Sequence, residues 1–206
     1  NDKKVENPDA DFDHKSAPYK RLCAAIPYYP ELIEYQLSDT SRTGHITWMW
    51  DKILKLGTSG MKEQYEKALD NAEEKESRQF YSGVLIMLEA LQEWNDKHVA
   101  ELDRLGMYDA AKLCRKVPRY PAETFHEAVQ SFFMQYIVVM RENPFGGNGP
   151  GRLDYYLWPY LERDLKKNAC TLEQARELID ELFIRIDERI YKKDGWVEAI
   201  VVGGSH

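Results

Sequence analysis

Apolar residues recur at intervals of three and four along most of this chain, a spacing that predicts a molecule made almost entirely of helices. Residues 1–16 are polar and acidic without periodicity and read as a loose lead-in. From Tyr19 to Tyr35 the apolar positions are interrupted by Pro27 and Pro30 and preceded by Pro18, which predicts only short helical turns. A short helix is expected from about Thr47 to Leu56, stopped by Gly57, and another from Met61 to about Lys75. A long amphipathic helix follows, with Phe80, Val84, Leu88, Leu91, Trp94, Leu102 and Leu105 near helical spacing and Gly106 closing it. A shorter one covers Tyr108 to Arg115 and ends before Pro118.

Two Thr-x-x-Glu/Gln pairs mark later helix starts. Thr124 with Glu127, supported by Pro121 upstream, opens a helix that runs to about Glu142. Its second half, Ile137 through Met140, is apolar nearly all round and is expected to be buried on most sides. Thr171 with Gln174 opens the next, in which Leu172, Ala175, Leu178, Ile179, Leu182, Phe183, Ile186 and Ile190 share a helical period. Only Val197 to Val202, followed by Gly203-Gly204, reads as a strand. A lone strand leaves its ladder groups unpaired. The chain is therefore expected to be a piece of a larger protein, with residues 17–206 forming one compact unit. Apolar surface is expected around Ile137 to Phe145 and along the final strand, where missing neighbours would pack.

Composition narrows the function classes. Apolar residues make up 43% of the 206, enough for a core, and the net charge of -7 argues against nucleic acid or an anionic membrane as partner. No apolar run is long enough to span a bilayer, and no secretory signal pattern opens the sequence. Cys23, Cys114 and Cys170 are odd in number and lack CxxC or metal-ligand spacing, which fits a reduced, cytoplasmic setting. His98 and His126 have no second ligand at i+3 or i+4, so no metal site is expected.

The densest chemistry lies between Gly146 and Tyr160, where four glycines and Pro150 lead into Arg152, Asp154 and an aromatic run. Glycines at this density let backbone approach another group closely. The Arg152 guanidinium offers a planar fork of donors to a carboxylate or a carbonyl. Gly149, Gly151, Arg152 and Asp154 are expected to form a structural turn, with Arg152 and Asp154 as a buried pair. The Gly147-x-Gly149-x-Gly151 spacing does not fit a dinucleotide loop, because a helix precedes it where a strand is needed. Glu142 and Asp164 read as helix-surface charges. Trp48, Trp50, Trp158, Tyr155 and Tyr156 suit either a pocket lining or, more commonly for such residues, core packing.

This segment resembles the glycyl radical enzymes, the pyruvate formate-lyase family, whose chains carry a Ser/Gly-rich turn, Gly-Arg, then Asp-Gln-Tyr-Leu-Tyr-Pro-Tyr or a variant. Other stretches fall in the same order: Tyr29-Pro30-Glu31-Leu32; Gly44-His45 with Leu54 and Gly57; and Pro121 to Gln130, close to Pro-Ala-x-Thr-Phe-x-Glu-Ala-Leu-Gln. Asp164-Leu165 with Cys170 to Ala175 continues the match. Val202-Gly203-Gly204 is similar to the strand that precedes the family's thiyl-cysteine loop. The resemblance implies a mainly α structure with few short strands, the helical N-terminal portion of a pyruvate formate-lyase-like α/β barrel. It implies part of an enzyme of the formate acetyltransferase or dehydratase type, one that cleaves C–C or C–X bonds of a small metabolite by radical chemistry. In the full-length family a radical SAM activating enzyme installs the glycyl radical, which passes to a cysteine.

Neither that cysteine nor the radical glycine stands in this sequence, so no catalytic residue, bound cofactor or activity is expected of the chain alone. The resemblance also implies the remainder of the barrel, the activating enzyme, a small-molecule substrate and a homodimer as partners. Two positions inherit substrate-binding roles. His45 matches a histidine that approaches substrate hydroxyls in the dehydratase branch, or is simply a histidine satisfied near a helix start. Asn148 stands in the turn where relatives often carry a substrate-touching serine, or is a favoured turn residue. Met49 stands where that branch commonly has an acidic residue. The competing expectation is a non-catalytic helical relative that binds a partner.

Overall fold

The computed structural model describes residues 49–142, 149–189 and 200–203. All of them fall in one compact unit, residues 45–206. The described residues form α1 (Trp50–Asp70), α2 (Lys75–Arg104), α3 (Tyr108–Lys116), α4 (Phe125–Glu142), α5 (Leu153–Lys166) and α6 (Leu172–Arg189). None of these helices is long and apolar enough to cross a membrane. The mainly helical expectation is met.

Gly57 breaks α1 as its sequence position suggests, but the helix resumes at once instead of at Met61, and it ends at Asp70 instead of Lys75. At φ 66° and ψ 168°, Gly57 is in a conformation open to glycine and strained for other residues. The break frees two amides from the helical ladder. Thr58 N–H donates to the Pro118 carbonyl at 2.9 Å and Ser59 N–H to the Arg119 carbonyl at 3.0 Å. A Cβ on Gly57 would press against the Arg119 carbonyl and lie 2.6 Å from the Tyr120 backbone. The segment after α3 is thus pinned to α1, and Ala122 N–H completes the seam by donating to the Leu54 carbonyl at 2.9 Å.

The main core is organised around α4, which packs on α1, α3, α5 and α6. Phe132 and Tyr136 are fully buried there, with Trp50 edge-on to Phe132 at 5.0 Å between ring centroids. From α5 come Leu153, Leu157 and Tyr160, and from α6 come Ala175, Leu182 and Ile186. A second, smaller cluster joins Val99 of α2 to Ala111 and Cys114 of α3. The end of α4 is less enclosed than its composition suggests, since Ile137, Val138 and Val139 are only half-buried.

Both capping pairs form as spelled. Glu127 N–H donates to Thr124 Oγ1 at 3.1 Å, while the Glu127 carboxylate accepts Thr124 N–H at 3.2 Å. Thr171 and Gln174 exchange the same two bonds at 3.2 and 2.9 Å. In α2 the inward stripe is Leu88, Asn95 and Val99. Phe80 and Leu105, expected inside, are exposed. Asn95 is buried and donates to the Cys114 carbonyl at 2.7 Å.

One expectation is corrected. Asp164 is not a surface charge: it is buried and accepts Phe125 N–H at 2.7 Å. It serves as a remote cap, meeting one of the amides that the first turn of any helix leaves without a helical partner. The reading of Val197 to Val202 as a strand finds only a trace. Among the described residues no strand forms, and Ile200 makes an isolated parallel bridge to Gly151. The remainder of that stretch, residues 197–199, lies outside the described residues.

Candidate functional site

The glycine turn and the 200–203 segment are bound to each other by a small set of hydrogen bonds. Gly149 and Gly151 both have positive φ, 50° and 66°, which bends the chain sharply into α5. The bend turns the Gly151 carbonyl toward two donors: Leu153 N–H at 2.9 Å and Val201 N–H at 2.8 Å. Ile200 packs against the main core beside it. Tyr156, one turn into α5, donates its hydroxyl to the Pro150 carbonyl at 2.8 Å. Burial pushes the Tyr156 phenol far above its ordinary range, so it acts as a fixed donor.

Asp154 is the centre of this arrangement. Its two carboxylate oxygens take the Arg152 fork, Nε to Oδ1 at 2.9 Å and Nη2 to Oδ2 at 3.2 Å. Oδ2 also accepts Gly203 N–H at 2.8 Å. Asp154 sits in the first turn of α5, where the helix dipole favours negative charge. Its carboxyl is pulled down to about 2, first by the Arg152 hydrogen bond, against a desolvation cost, and then by backbone donors including Gly203. The pair was expected to be buried; instead each side chain is about one third exposed, at 36% and 32%. Gly149, Pro150 and Gly151 are buried, and the pair reaches the surface because Arg152 and Asp154 flank Leu153, the first buried position of α5.

Beside the turn lies a half-open cleft of about 600 Å³ between the start of α1 and the outward face of α5. Its walls carry Arg152 and Asp154, the aromatic rings of Tyr155, Trp158 and Tyr160, and the cations Lys55 and Arg163. Asp51 holds Lys55 at 2.7 Å. Tyr155 and Trp158, more than half exposed, answer the open choice in favour of a cleft lining, whereas Trp50 goes to the core. Sequence reasoning passed over Lys55 and Arg163. The signal was the i, i+4, i+8 register of Tyr155, Pro159 and Arg163, which places them along one face of α5.

The structure gathers Gly149, Gly151, Arg152 and Asp154 into one site. His45 and Asn148 lie outside the described residues. The Glu142 side chain likewise lies outside them. His98 reads as a helix residue, bonded to the Trp94 carbonyl at 2.8 Å, and His126 is exposed. Among the described residues no group of His, Cys, Asp and Glu is arranged to hold a metal. Cys114 is buried with its thiol pushed up by desolvation, and Cys170 donates to the Thr171 carbonyl at 3.2 Å. Neither lines the cleft.

Comparison with known proteins shows the family of this chain. A family model described as pyruvate formate lyase-like matches residues 25–205. Isethionate sulfite-lyase of Nitratidesulfovibrio vulgaris is 31% identical over 159 residues, which is 68% of this chain and 19% of the relative. A solved structure on 1,2-propanediol dehydration in Roseburia inulinivorans superposes with TM-score 0.71 at 28% identity, covering 78% of this chain and 22% of the other. A crystal structure of a glycyl radical enzyme from Archaeoglobus fulgidus gives TM-score 0.74 at 22% identity, with 92% of this chain and 29% of that one covered. This chain spans about a fifth of the length of the curated relatives it matches.

Proposed function

We infer that this chain, which belongs to the pyruvate formate lyase-like family of glycyl radical enzymes, supplies the helical part of a radical lyase or dehydratase and one wall of its substrate site. The reaction class is cleavage of a C–S or C–O bond in a small hydroxylated metabolite. Its support is the pair of relatives concerned with isethionate and with 1,2-propanediol. The radical, when installed, supplies hydrogen abstraction; in this chain Cys114 is buried in the α2–α3 cluster and Cys170 is bonded to its neighbour.

The single observation that carries the reading is the shared carboxylate of Asp154. One side chain fixes the Arg152 fork and the Gly203 amide together, so the glycine turn and the 200–203 segment keep one relative position. A radical site needs such fixed walls, since water and oxygen must be kept from the reacting atoms. His45 and Asn148 are the proposed substrate contacts, and Gly149, Gly151, Arg152 and Asp154 hold the turn from which Asn148 projects. The chain acts with the rest of the barrel and has no turnover alone, in a cytoplasmic and anaerobic setting.

The test is anaerobic activation of the longest polypeptide containing this sequence with a radical SAM activating enzyme, followed by incubation with isethionate or 1,2-propanediol. The expected outcome is a glycyl radical signal in electron paramagnetic resonance, with sulfite or aldehyde released from one of the two. A radical signal with neither substrate consumed would overturn the reaction class. Turnover by the 206-residue chain without further polypeptide would overturn its proposed dependence on the barrel.

A further inference from the structure

Helix α2 carries a second apolar stripe that the core does not use. Its inward side meets α1 and α3 through Leu88, Asn95 and Val99. About a quarter turn round the helix, Phe80, Val84, Met87, Leu91, Trp94 and His98 follow one another at spacings of four and three. That alternation is the seam of a coiled coil, here about 27 Å long. Phe80 is 61% exposed and Met87 58%, while Val84, Leu91 and Trp94 are half-buried. Gly83 and Ala90, both exposed, flank the seam. No described atom lies within 4 Å of where a Cβ on Gly83 would stand. Glycine weakens a helix interior, and nothing described within the chain calls for one there; the close approach of a second helix does.

The stripe is complementary to itself when reversed. Set antiparallel to a copy of itself about Ala90, it places Val84 opposite the partner's Trp94 and Met87 opposite the partner's Leu91. Phe80 then meets the partner's His98, whose ring is stacked on its own Trp94 at 4.1 Å between centroids and offers a flat face. The charges agree with that direction. Glu76 stands in the first turn of α2 and Arg104 in the last, on the same flank of the seam, so reversal brings opposite charges together at both ends. Arg104 is held by Glu101 at 2.6 Å, yet its side chain is 67% exposed and open to a carboxylate from outside. A parallel copy would set Glu76 against Glu76 and Arg104 against Arg104, and would align the helix dipoles unfavourably.

We propose that α2 is the contact face between two copies of this chain, paired antiparallel along the seam from Phe80 to His98 with Ala90 beside the twofold axis. The same patch serves both copies, as a closed twofold pair requires. The assignment does not depend on the reaction proposed above.

The experiment is sedimentation equilibrium of the 206-residue chain carrying Phe183→Ser and Ile184→Ser, so that copies do not meet through the exposed apolar side chains of α6. The expected species is a dimer in equilibrium with monomer. Met87→Lys should weaken it by at least about thirtyfold, because ammonium groups would be buried near the axis. Its circular dichroism should match the parent's, since Met87 is exposed. Glu76→Arg and Arg104→Glu should each weaken the dimer by about fivefold, and the two together should return it to within about twofold of the parent. A chain that is monomeric up to about 200 μM, a dimer indifferent to Met87→Lys, or charge reversals without mutual rescue would each overturn the proposal. So would the longest polypeptide containing this sequence, if Met87→Lys lowered its melting temperature and left its oligomeric state unchanged, for its own remainder would then cover α2.

Discussion

At the scale of single residues, Asp154 carries the most testable physics. Its carboxyl is lowered from 3.8 to about 2, so its contribution to stability is present above 3.8 and is lost as pH falls through about 2. On acidification the Gly203 amide should lose its protection from hydrogen exchange over that window, while the Val201 amide, bonded to a carbonyl, should keep its own. Arg152→Ala removes the largest cause of the lowering, so the Asp154 carboxyl should titrate at higher pH; an unchanged titration would place the pair apart in solution. Asp164 gives a second case. Asp164→Ala leaves the buried Phe125 N–H without its acceptor and should cost about 1–3 kcal/mol in thermal unfolding, whereas Asp164→Asn keeps an acceptor oxygen and should lose less. Equal melting of the two variants would show that the contact is idle. The Arg152–Asp154 pair was legible because its members stand two apart beside a glycine turn; its exposure was not. Asp164 was invisible because its partner lies 39 residues away, and only the packing of α5 against α4 joins them.

At the scale of elements, the sequence reports best on what neighbours decide. The Thr124–Glu127 and Thr171–Gln174 pairs act over three residues, and both formed as spelled. Gly57 and Gly106 announced their breaks because a positive φ is a local demand. The spacing of α2 promised burial for Phe80 and Leu105, yet periodicity names a face without saying what covers it. Gly57 is also where local and tertiary demands meet. Gly57→Ala meets a positive φ and the Arg119–Tyr120 backbone at once, and should cost roughly 2 kcal/mol or more, read from denaturant unfolding. A change below about 0.5 kcal/mol, the range of ordinary surface substitutions, would show that the seam between α1 and the segment after α3 opens freely.

At the scale of the whole molecule, some of the exposed apolar residues lie on the last described helix and the terminal segment. Leu172, Phe183 and Ile184 stand out of α6, and Val201 and Val202 out of the terminal segment, while the inward stripe of α6 is satisfied by the core. The expected exposure of the final segment is met by Val201 and Val202; most of the Ile137 to Phe145 stretch lies outside the described residues. The 206-residue chain alone should therefore self-associate in sedimentation as its concentration rises, and Phe183→Ser with Ile184→Ser should shift it toward monomer. A parent chain that stays monomeric throughout would mean these side chains need no cover. The family was legible from the order of several weak motifs. The substrate was not, because His45, Asn148 and the reaction's radical partners are not brought together by the described residues.

The most direct test of the central claim is kcat/KM of the activated, barrel-complete polypeptide for whichever of isethionate or 1,2-propanediol it consumes, measured in parent, Asp154→Asn and Asp154→Ala. If Asp154 fixes the substrate wall, Asp154→Ala should lose about a hundredfold, the scale on which misplacement by about 1 Å impairs catalysis. Asp154→Asn, which keeps an acceptor for Gly203, should lose less, with the radical signal unchanged in all three. Equal kcat/KM in parent and Asp154→Ala would mean that Asp154 does not hold the substrate wall.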